Sequence, residues 1–237
     1  MPLLLIPASA YAHAGPVLDP WVGASLLPLL LLRPRRAWPF AGALLALFLA
    51  LVWPLEGLAG ASFGAHMAQH MLLIGVAAPL LAASRPTLTV LKGRGAILRP
   101  VLALARARNA FLLHAIAIWL GHAPRIIDWS LESRPFHAAQ HFGLVATAAI
   151  FWWAMLARGR QGAGESALWT LATMLHTGAL GALLTFAPRG LYRDYGLEDQ
   201  QLAGLVMWVP GGLCYLAAGL AFVAAWLDGR RRPVAPR

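Results

Sequence analysis

Long apolar runs recur along the whole chain and are separated by short polar segments. Because an α-helix needs about 20 mostly apolar residues to cross a bilayer, each run is a candidate membrane span. Prolines, glycines and arginines mark most of the ends, where a helix is expected to leave the membrane. The candidate spans lie near residues 17–32, 38–54, 63–84, 109–123, 136–157, 167–187 and 200–227.

These runs predict an all-α fold: a polytopic membrane helix bundle that forms a single integral membrane domain over residues 1–237. We expect six or seven transmembrane helices, since the first and fourth runs are shorter than the others. Residues 1–10 form an apolar stretch that ends in Ala8-Ser9-Ala10, which suits a signal-peptidase site, but the basic start of a signal peptide is missing. A cleaved signal segment and an uncleaved lead-in to the first span both remain open.

The composition supports a membrane protein. The mean hydropathy is +0.65, 59% of the 237 residues are hydrophobic and only 12% are charged. A soluble domain would carry roughly twice that share of charged residues. The single cysteine, Cys214, lies inside an apolar run, so an internal disulfide and a paired-cysteine metal motif are excluded.

The formal net charge of +10 is distributed unevenly between the predicted loops. Fifteen of the 19 basic residues lie after the first, third and fifth spans and at the end of the chain, while seven of the nine acidic residues lie on the opposite side. The positive-inside rule makes the basic side cytoplasmic, so the N-terminus is outside and the C-terminus is cytoplasmic. The basic excess is then a topology signal, with membrane lipid as a secondary partner and no nucleic acid bound.

Histidines repeat within the third and fifth spans, where the chain reads HMAQHM and HAAQHF. His66 and His70 are four residues apart, as are His137 and His141, so each pair shares a helical face. Both spans run from outside to inside, which places both pairs in the outer half of the membrane. His122 ends the fourth span on the same side. We expect the five side chains to converge in one pocket with His122 at its rim.

Imidazole binds copper, zinc, iron and nickel, and thioether sulfur selects copper(I). Met67 and Met71 alternate with the first histidine pair, so soft ligands stand beside borderline ones in the sequence. Copper is therefore our hypothesis for the bound metal, with the histidines as main ligands and the two methionines as additional ones.

Polar side chains near a metal site often orient the free ring nitrogens of its histidines. Gln69, Gln140, Glu198 and Asp199 are the candidates for this role.

The chain has no HExxH motif and no serine-centred nucleophile elbow, which disfavours a zinc protease and a serine hydrolase. We expect a protein that is not an enzyme.

Two other interpretations remain open. Histidines on different helices also ligate haem, and His114 and His176, which lie deeper in the fourth and sixth spans, would make such a site in a membrane oxidoreductase. Two histidines four residues apart on one helix cannot be the two axial ligands of one haem. A scaffold without a cofactor would use all of these histidines for packing.

Four stretches occur together in this chain: HMAQHMLL with APLL shortly after it, the His-Ala-Pro element, the second His-x-x-Gln-His, and DQQLAGLVMWVPGG. This combination resembles the CtaG family of multi-span cytochrome c oxidase assembly factors, which is associated with caa-type oxidases. The resemblance implies a multi-pass protein of the bacterial plasma membrane that is needed to make active oxidase. It also implies cytochrome c oxidase subunits or their assembly intermediates as partners, and copper delivery as the favoured role.

The resemblance covers residues from about 18 to 226. One departure is Gly121, where the family leads us to expect an aromatic residue before His122. The positions that match the family are His66, Gln69, His70, His122, Pro124, His137, His141, Asp199, Gln200, Gly204, Met207 and Trp208.

Reporter fusions test the predicted orientation. We expect a reporter fused after Arg232 to be cytoplasmic, and reporters placed beside Glu56 or Asp194 to be outside, because the basic residues are concentrated on one side. Alkaline phosphatase, active only outside, and a fluorescent protein, active only inside, read out each position. A C-terminus found outside would reverse the side assigned to every histidine.

Overall fold

The computed structural model describes residues 19–88 and 103–231, which are almost entirely helical. The signal segment 1–10, Lys92, Arg94, Arg99 and the chain end beyond Arg231 lie outside the described residues. The helices are α1 (Pro20–Leu26), α2 (Ala37–Leu51), α3 (Leu55–Ala59), α4 (Phe63–Leu72), α5 (Ala78–Ala83), α6 (Ala107–Gly121), α7 (Pro124–Glu132), α8 (Arg134–Ala157), α9 (Ala163–Thr185) and α10 (Leu197–Arg231). A 3-10 helix, Leu27–Leu31, extends α1, a π-helical turn, Leu73–Ala77, joins α4 to α5, and the strands β1 (Leu32–Arg33) and β2 (Thr87–Leu88) pair antiparallel.

The described residues contain five segments that are long and apolar enough to cross a membrane: Ala37–Ala59, Phe63–Ala83, Arg134–Ala157, Ala163–Thr185 and Leu197–Gly229. The helices α6 and α7 meet at 70° and make a sixth if they are counted as one broken span. The predicted all-α, multi-pass membrane fold is therefore confirmed, with five or six full-length spans in the described part of the chain.

The first predicted span, 17–32, is shorter than expected. Its apolar helix covers only Pro20–Leu31, and its α and 3-10 parts together rise roughly 20 Å, against about 30 Å for the hydrocarbon core. The α-helix ends early because Pro28 has no N–H to continue the hydrogen-bond ladder. The preceding Leu27 N–H bonds Ala24 O, three residues back, which begins the 3-10 geometry.

The segment Phe63–Ala83 is the central helix of the bundle. In its apolar window 61% of the residues are buried inside the protein, against 17% to 39% in the other four spans. The helices α2, α8 and α10 pack around it. Polar side chains on this helix are therefore shielded from lipid by neighbouring helices.

The π-helical turn in this helix fixes how it sits against α8. The N–H of Ala78 bonds Leu73 O, five residues back, and Pro79 has no N–H to offer. The carbonyl of Ile74 is thus left without a partner in its own helix. The indole Nε1 of Trp152 on α8 donates to it at 2.9 Å, which sets the register between the central helix and α8.

The helices α9 and α10 form a closely packed hairpin through small residues. A Cβ atom at Gly204 would lie 2.5 Å from Gly181 O, so the backbones approach too closely for any side chain there. Met207 is fully buried, and Trp208 lies against Gly181. These three family-matching positions, Gly204, Met207 and Trp208, are accounted for by helix packing.

Contacts at the two ends of the bundle agree with the predicted grouping of the loops. At one end, Arg134 at the start of α8 pairs with Asp19 before α1 at 3.5 Å. At the other end, Arg160 before α9 pairs with Asp228 near the end of α10 at 2.7 Å, and Arg35 N–H bonds Ser84 O after α5. The chain alternates between these two ends as predicted, while the side of the membrane on which each end lies stays a prediction.

Candidate metal centre

The parallel helices α4 and α8 bring the two histidine pairs together near their N-terminal ends. The ring centres of His66 and His70 are 4.4 Å apart, and those of His137 and His141 are 4.2 Å apart. Across the helices, His141 lies 5.0 Å from His70 and 5.7 Å from His66. His122, at the C-terminal end of α6, lies 5.4 Å from His70. The structure thus gathers the five histidines into a single group, which we call the histidine cluster.

Most nitrogens of the histidine cluster have no partner. Eight of the ten ring nitrogens are buried and make no hydrogen bond to the protein; the exceptions are the Nδ1 atoms of His122 and His137. Leaving a buried polar atom unpaired costs about 1–3 kcal/mol. Each neutral ring has one nitrogen with a lone pair, and a bound cation would satisfy several of these lone pairs at once.

Two sets of side chains in the cluster have the spacing of metal ligands. One ligand atom each from His66, His70 and His141 lies within 4.8 Å of the others, and the same holds for Glu56, His137 and His141. Ligands bound at about 2.0 Å to one ion are roughly 3.3–4.1 Å apart. Side-chain movements of about an ångström would therefore bring the atoms of either set to bonding distance from one ion.

His122 has a defined tautomer. Its Nδ1 lies 2.7 Å from Ile118 O, and because a carbonyl only accepts, Nδ1 carries the proton. The Nε2 atom is then an unprotonated lone pair, buried and without a partner. A backbone carbonyl that fixes the ring in this way is a common support for a metal-bound histidine.

Glu56 on α3 is a member of the site that the sequence analysis missed. Its carboxylate Oε1 lies 3.8 Å from His137 Nδ1, and its Oε2 accepts a hydrogen bond of 2.6 Å from Gln69 Nε2. Gln69 also donates to Ala50 O at 2.8 Å, so it ties α2, α3 and α4 together. The signal in the sequence was an acid at the outer end of an apolar span, which we had used only to assign topology.

Gln140 contacts Gly121, the position that departs from the family pattern. Its Nε2 donates to Gly121 O at 2.7 Å and lies 3.6 Å from the place that a Cβ of Gly121 would take. The glutamine therefore lies in van der Waals contact with the end of α6. It holds the end of α6, and so His122, against α8.

Met67 and Met71 lie on a different face of the central helix from the histidines. Met67 packs in an apolar cluster with Phe63 and Ala203. The Sδ of Met71 lies 2.5 Å from the place that a Cβ of Gly211 would take. Successive residues of an α-helix point about 100° apart, so residues 67 and 71 face α10 while residues 66 and 70 face α8. The structure does not bring the two methionines to the ligand sets.

Asp199 contacts the start of α4 and not a histidine ring. Asp199 at the start of α10 accepts hydrogen bonds from Ser62 Oγ at 3.0 Å and from the backbone N–H groups of Phe63 and Gly64 at 2.5 and 3.0 Å. It therefore caps the N-terminus of α4 from another helix and matches the positive end of that helix dipole. Glu198 is exposed.

Two tyrosines in the loop between α9 and α10 hold neighbouring helix ends at the site. Tyr192 donates to His122 O at 2.9 Å, and Tyr195 donates to Ala59 O at 3.0 Å. The ring of Phe63 packs between them. Burial raises the pKa of both hydroxyls above the usual range, so both remain protonated donors at neutral pH.

The two deeper histidines lie apart from the cluster. Thr147 donates its hydroxyl proton to Gly143 O, so its oxygen accepts from His114 Nδ1 at 3.3 Å. The other ring nitrogen, His114 Nε2, then has no proton and accepts from the Tyr215 hydroxyl at 3.3 Å. His114 is therefore a hydrogen-bonded residue of the helix core. His176 packs edge-on against Phe111, with both ring nitrogens unpartnered.

A family model described as the cytochrome c oxidase caa3 assembly factor (Caa3_CtaG) matches residues 31–229. The chain belongs to this family. No curated protein and no solved structure matches the chain. The matched range includes Glu56 and all five histidines of the cluster, so the candidate metal centre lies within the part of the chain that defines membership.

Replacing each of the two neighbouring acids at the start of α10 with alanine, one at a time, separates their roles. We expect Asp199→Ala to lower the stability by about 1–3 kcal/mol, because three donors at the start of α4 lose their acceptor. The matched control, Glu198→Ala, removes an exposed carboxylate one residue earlier and should change stability by less than about 0.5 kcal/mol. Thermal unfolding of the purified variants in detergent measures both. Equal effects would contradict the capping role of Asp199.

Proposed function

We propose that this protein holds one copper(I) ion in the histidine cluster and passes it to cytochrome c oxidase during assembly of the enzyme. Family membership supplies the process, because the matching family is one of caa3 oxidase assembly factors. The observation that supports a metal is the set of eight buried ring nitrogens without partners, drawn from three helices. Glu56, Gln69 and Gln140 hold this arrangement in place.

The charge balance of the cluster favours copper(I). His66, His70, His122 and His141 are neutral ligands, and the burial of an ion among them costs more for a divalent cation than for a monovalent one. Imidazole is a good ligand for copper, and copper(I) is stable with two to four such ligands. The chain needs neither of the two methionines for this, and its single cysteine lies elsewhere in the sequence.

The position of the cluster suits delivery on one side of the membrane. It lies near the N-terminal ends of α4 and α8, at the end of the bundle that carries Asp19 and Glu56. The predicted orientation makes that end the outer face of the bacterial plasma membrane, where copper reaches the extracytoplasmic centre of a respiratory oxidase. Oxidase subunits or assembly intermediates would receive the ion there.

A haem-binding function is less well supported than copper. An axial ligand needs a free ring nitrogen, whereas both nitrogens of His114 are engaged by Thr147 and Tyr215. The two histidines of each pair lie on one helix, so they cannot bind a haem iron from opposite faces of the haem. A Soret band in the purified protein would nevertheless favour haem over copper.

Replacing one histidine pair tests the proposal. We expect His66→Ala/His70→Ala to lose copper(I) to a competing chelator that the wild-type protein resists, since two ligands of the buried set are gone. The variant should still insert and fold, because insertion depends on the apolar spans, and cells that carry it should make oxidase short of copper. Metal analysis of the purified protein and copper content of the oxidase are the two measurements.

The matched control is His176→Ala, which removes an imidazole that lies outside the histidine cluster. It should retain copper as the wild-type protein does. If the double variant keeps full copper occupancy against the chelator, or if the wild-type protein binds no copper(I), the proposal is wrong. Normal oxidase assembly by a double variant that no longer binds copper would favour a scaffold without a cofactor.

A further inference from the structure

We propose that one copper(I) ion uses two positions in the histidine cluster in turn. The outer position is formed by Glu56, His137 and His141, and the inner position by His66, His70 and His141. The ion binds at the outer position first and then moves to the inner one, with His141 a ligand in both. This inference rests on the proposed function, because it describes how the same ion enters the cluster.

Solvent exposure gives the direction of movement. The side chains of Glu56 and His137 are 11% and 18% exposed. His66, His70 and His141 are each exposed by 1% or less. An ion that arrives from water with its hydration shell therefore meets Glu56 and His137 before it meets the buried ligands.

His141 is also one of the residues that line an apolar cavity. This cavity has a volume of about 90 Å³ and lies between α1, α2, α5 and α8. The remaining lining of this cavity is apolar except for Ser25. Such a cavity offers a hydrated cation no ligands, which leaves the side of Glu56 and His137 as the entrance that the described residues provide.

The geometry of Glu56 and His137 fits two ligands of one ion. Their nearest atoms, Oε1 and Nδ1, are 3.8 Å apart, which exceeds the 2.7–3.2 Å of a hydrogen bond. The separation falls within the roughly 3.3–4.1 Å expected for two ligands of one metal. Gln69 holds the other carboxylate oxygen at 2.6 Å, so Glu56 is positioned before an ion arrives.

The two positions differ in charge and in ligand type. Glu56 gives the outer position a carboxylate, which attracts a cation and offsets the cost of removing its water. The inner position offers imidazoles alone, and copper binds imidazole more readily than carboxylate oxygen. Capture of the ion is therefore favoured at the outer position, and final binding at the inner position. There, His122 Nε2 is a further available ligand.

The transfer is a ligand exchange without a change of oxidation state. The bonds from copper(I) to Glu56 and His137 break, those to His66 and His70 form, and His141 stays bound. No proton or electron leaves the site. Both positions need His141, and a neutral imidazole binds one ion at a time, since a bridge through both nitrogens requires loss of the ring proton. The two positions should therefore hold one copper per chain in total.

Loading kinetics test the two positions. Copper(I) supplied to the full-length purified protein as its coloured bicinchoninate complex loses colour as the protein takes up the ion, which gives both a rate and an endpoint. We expect Glu56→Gln, which preserves size and an acceptor for Gln69, to load at least about tenfold more slowly than the wild type. Its endpoint should remain one copper per chain, because the inner ligands are intact.

The control for this measurement is Glu132→Gln. Glu132 is another acid at the same end of the bundle, but its carboxylate is largely exposed and pairs with Arg193 outside the cluster. The same chemical change there should leave the loading rate at the wild-type value. A rate reduced equally by both substitutions would mean that general surface charge attracts the ion, and the outer position would be refuted.

Removal of the inner ligands isolates the outer position. In the absence of a competing chelator, His66→Ala/His70→Ala should still bind one copper(I) weakly, and adding Glu56→Gln should abolish this binding. Unchanged loading by Glu56→Gln, two copper ions per wild-type chain, or no copper in the double variant would each overturn the two-position inference while leaving copper binding by the cluster intact. A wild-type protein that takes up no copper(I) would instead overturn the proposed function.

Discussion

The packing of the central helix against α8 is the constraint on which the histidine cluster depends. Two pairs of imidazoles converge only if these parallel helices begin at the same depth and keep their register. The bond from Trp152 to the carbonyl that the π-helical turn leaves free sets that register. Asp199 holds the start of α4 from the neighbouring helix. We expect the loss of either contact to move apart side-chain atoms that now lie within 4.8 Å of one another.

The protein uses polar groups in the membrane for two different purposes. Gln69, Gln140 and Tyr192 direct their donors at backbone carbonyls or at Glu56, so they fix helix ends. The histidines of the cluster are held by these contacts but keep most of their own nitrogens free. Rigid support around unpaired ligands is what a metal site requires, because the ion then binds without a large loss of side-chain entropy.

Much of this arrangement could be predicted from the sequence. The four-residue spacing fixes a shared face for each histidine pair, and the alternation of basic loops gives the common direction of α4 and α8 and the placement of His122. The 100° step between neighbouring helical residues already separates Met67 and Met71 from that face, although the sequence analysis had grouped them with the histidines. The helical phase thus argues against the two methionines as ligands, and their role stays a prediction.

Other features required the tertiary structure. Glu56 joins the site because Gln69 reaches it across a helix boundary, and Asp199 caps a helix that begins 136 residues earlier, as its bond to Phe63 shows. No local pattern records either contact. The first span was predicted from its apolar content, but Pro28 ends the α-helix early and replaces its second half with 3-10 geometry.

X-ray absorption spectroscopy of the copper(I)-loaded protein tests the central claim most directly, because it reports the atoms bound to the ion. We expect a first shell of nitrogen neighbours alone, at about 2.0 Å, with the outer-shell scattering of imidazole rings. A sulfur neighbour at about 2.3 Å would contradict the separation of the methionines from the site, and a shell without imidazole scattering would refute the histidine cluster as the place of binding.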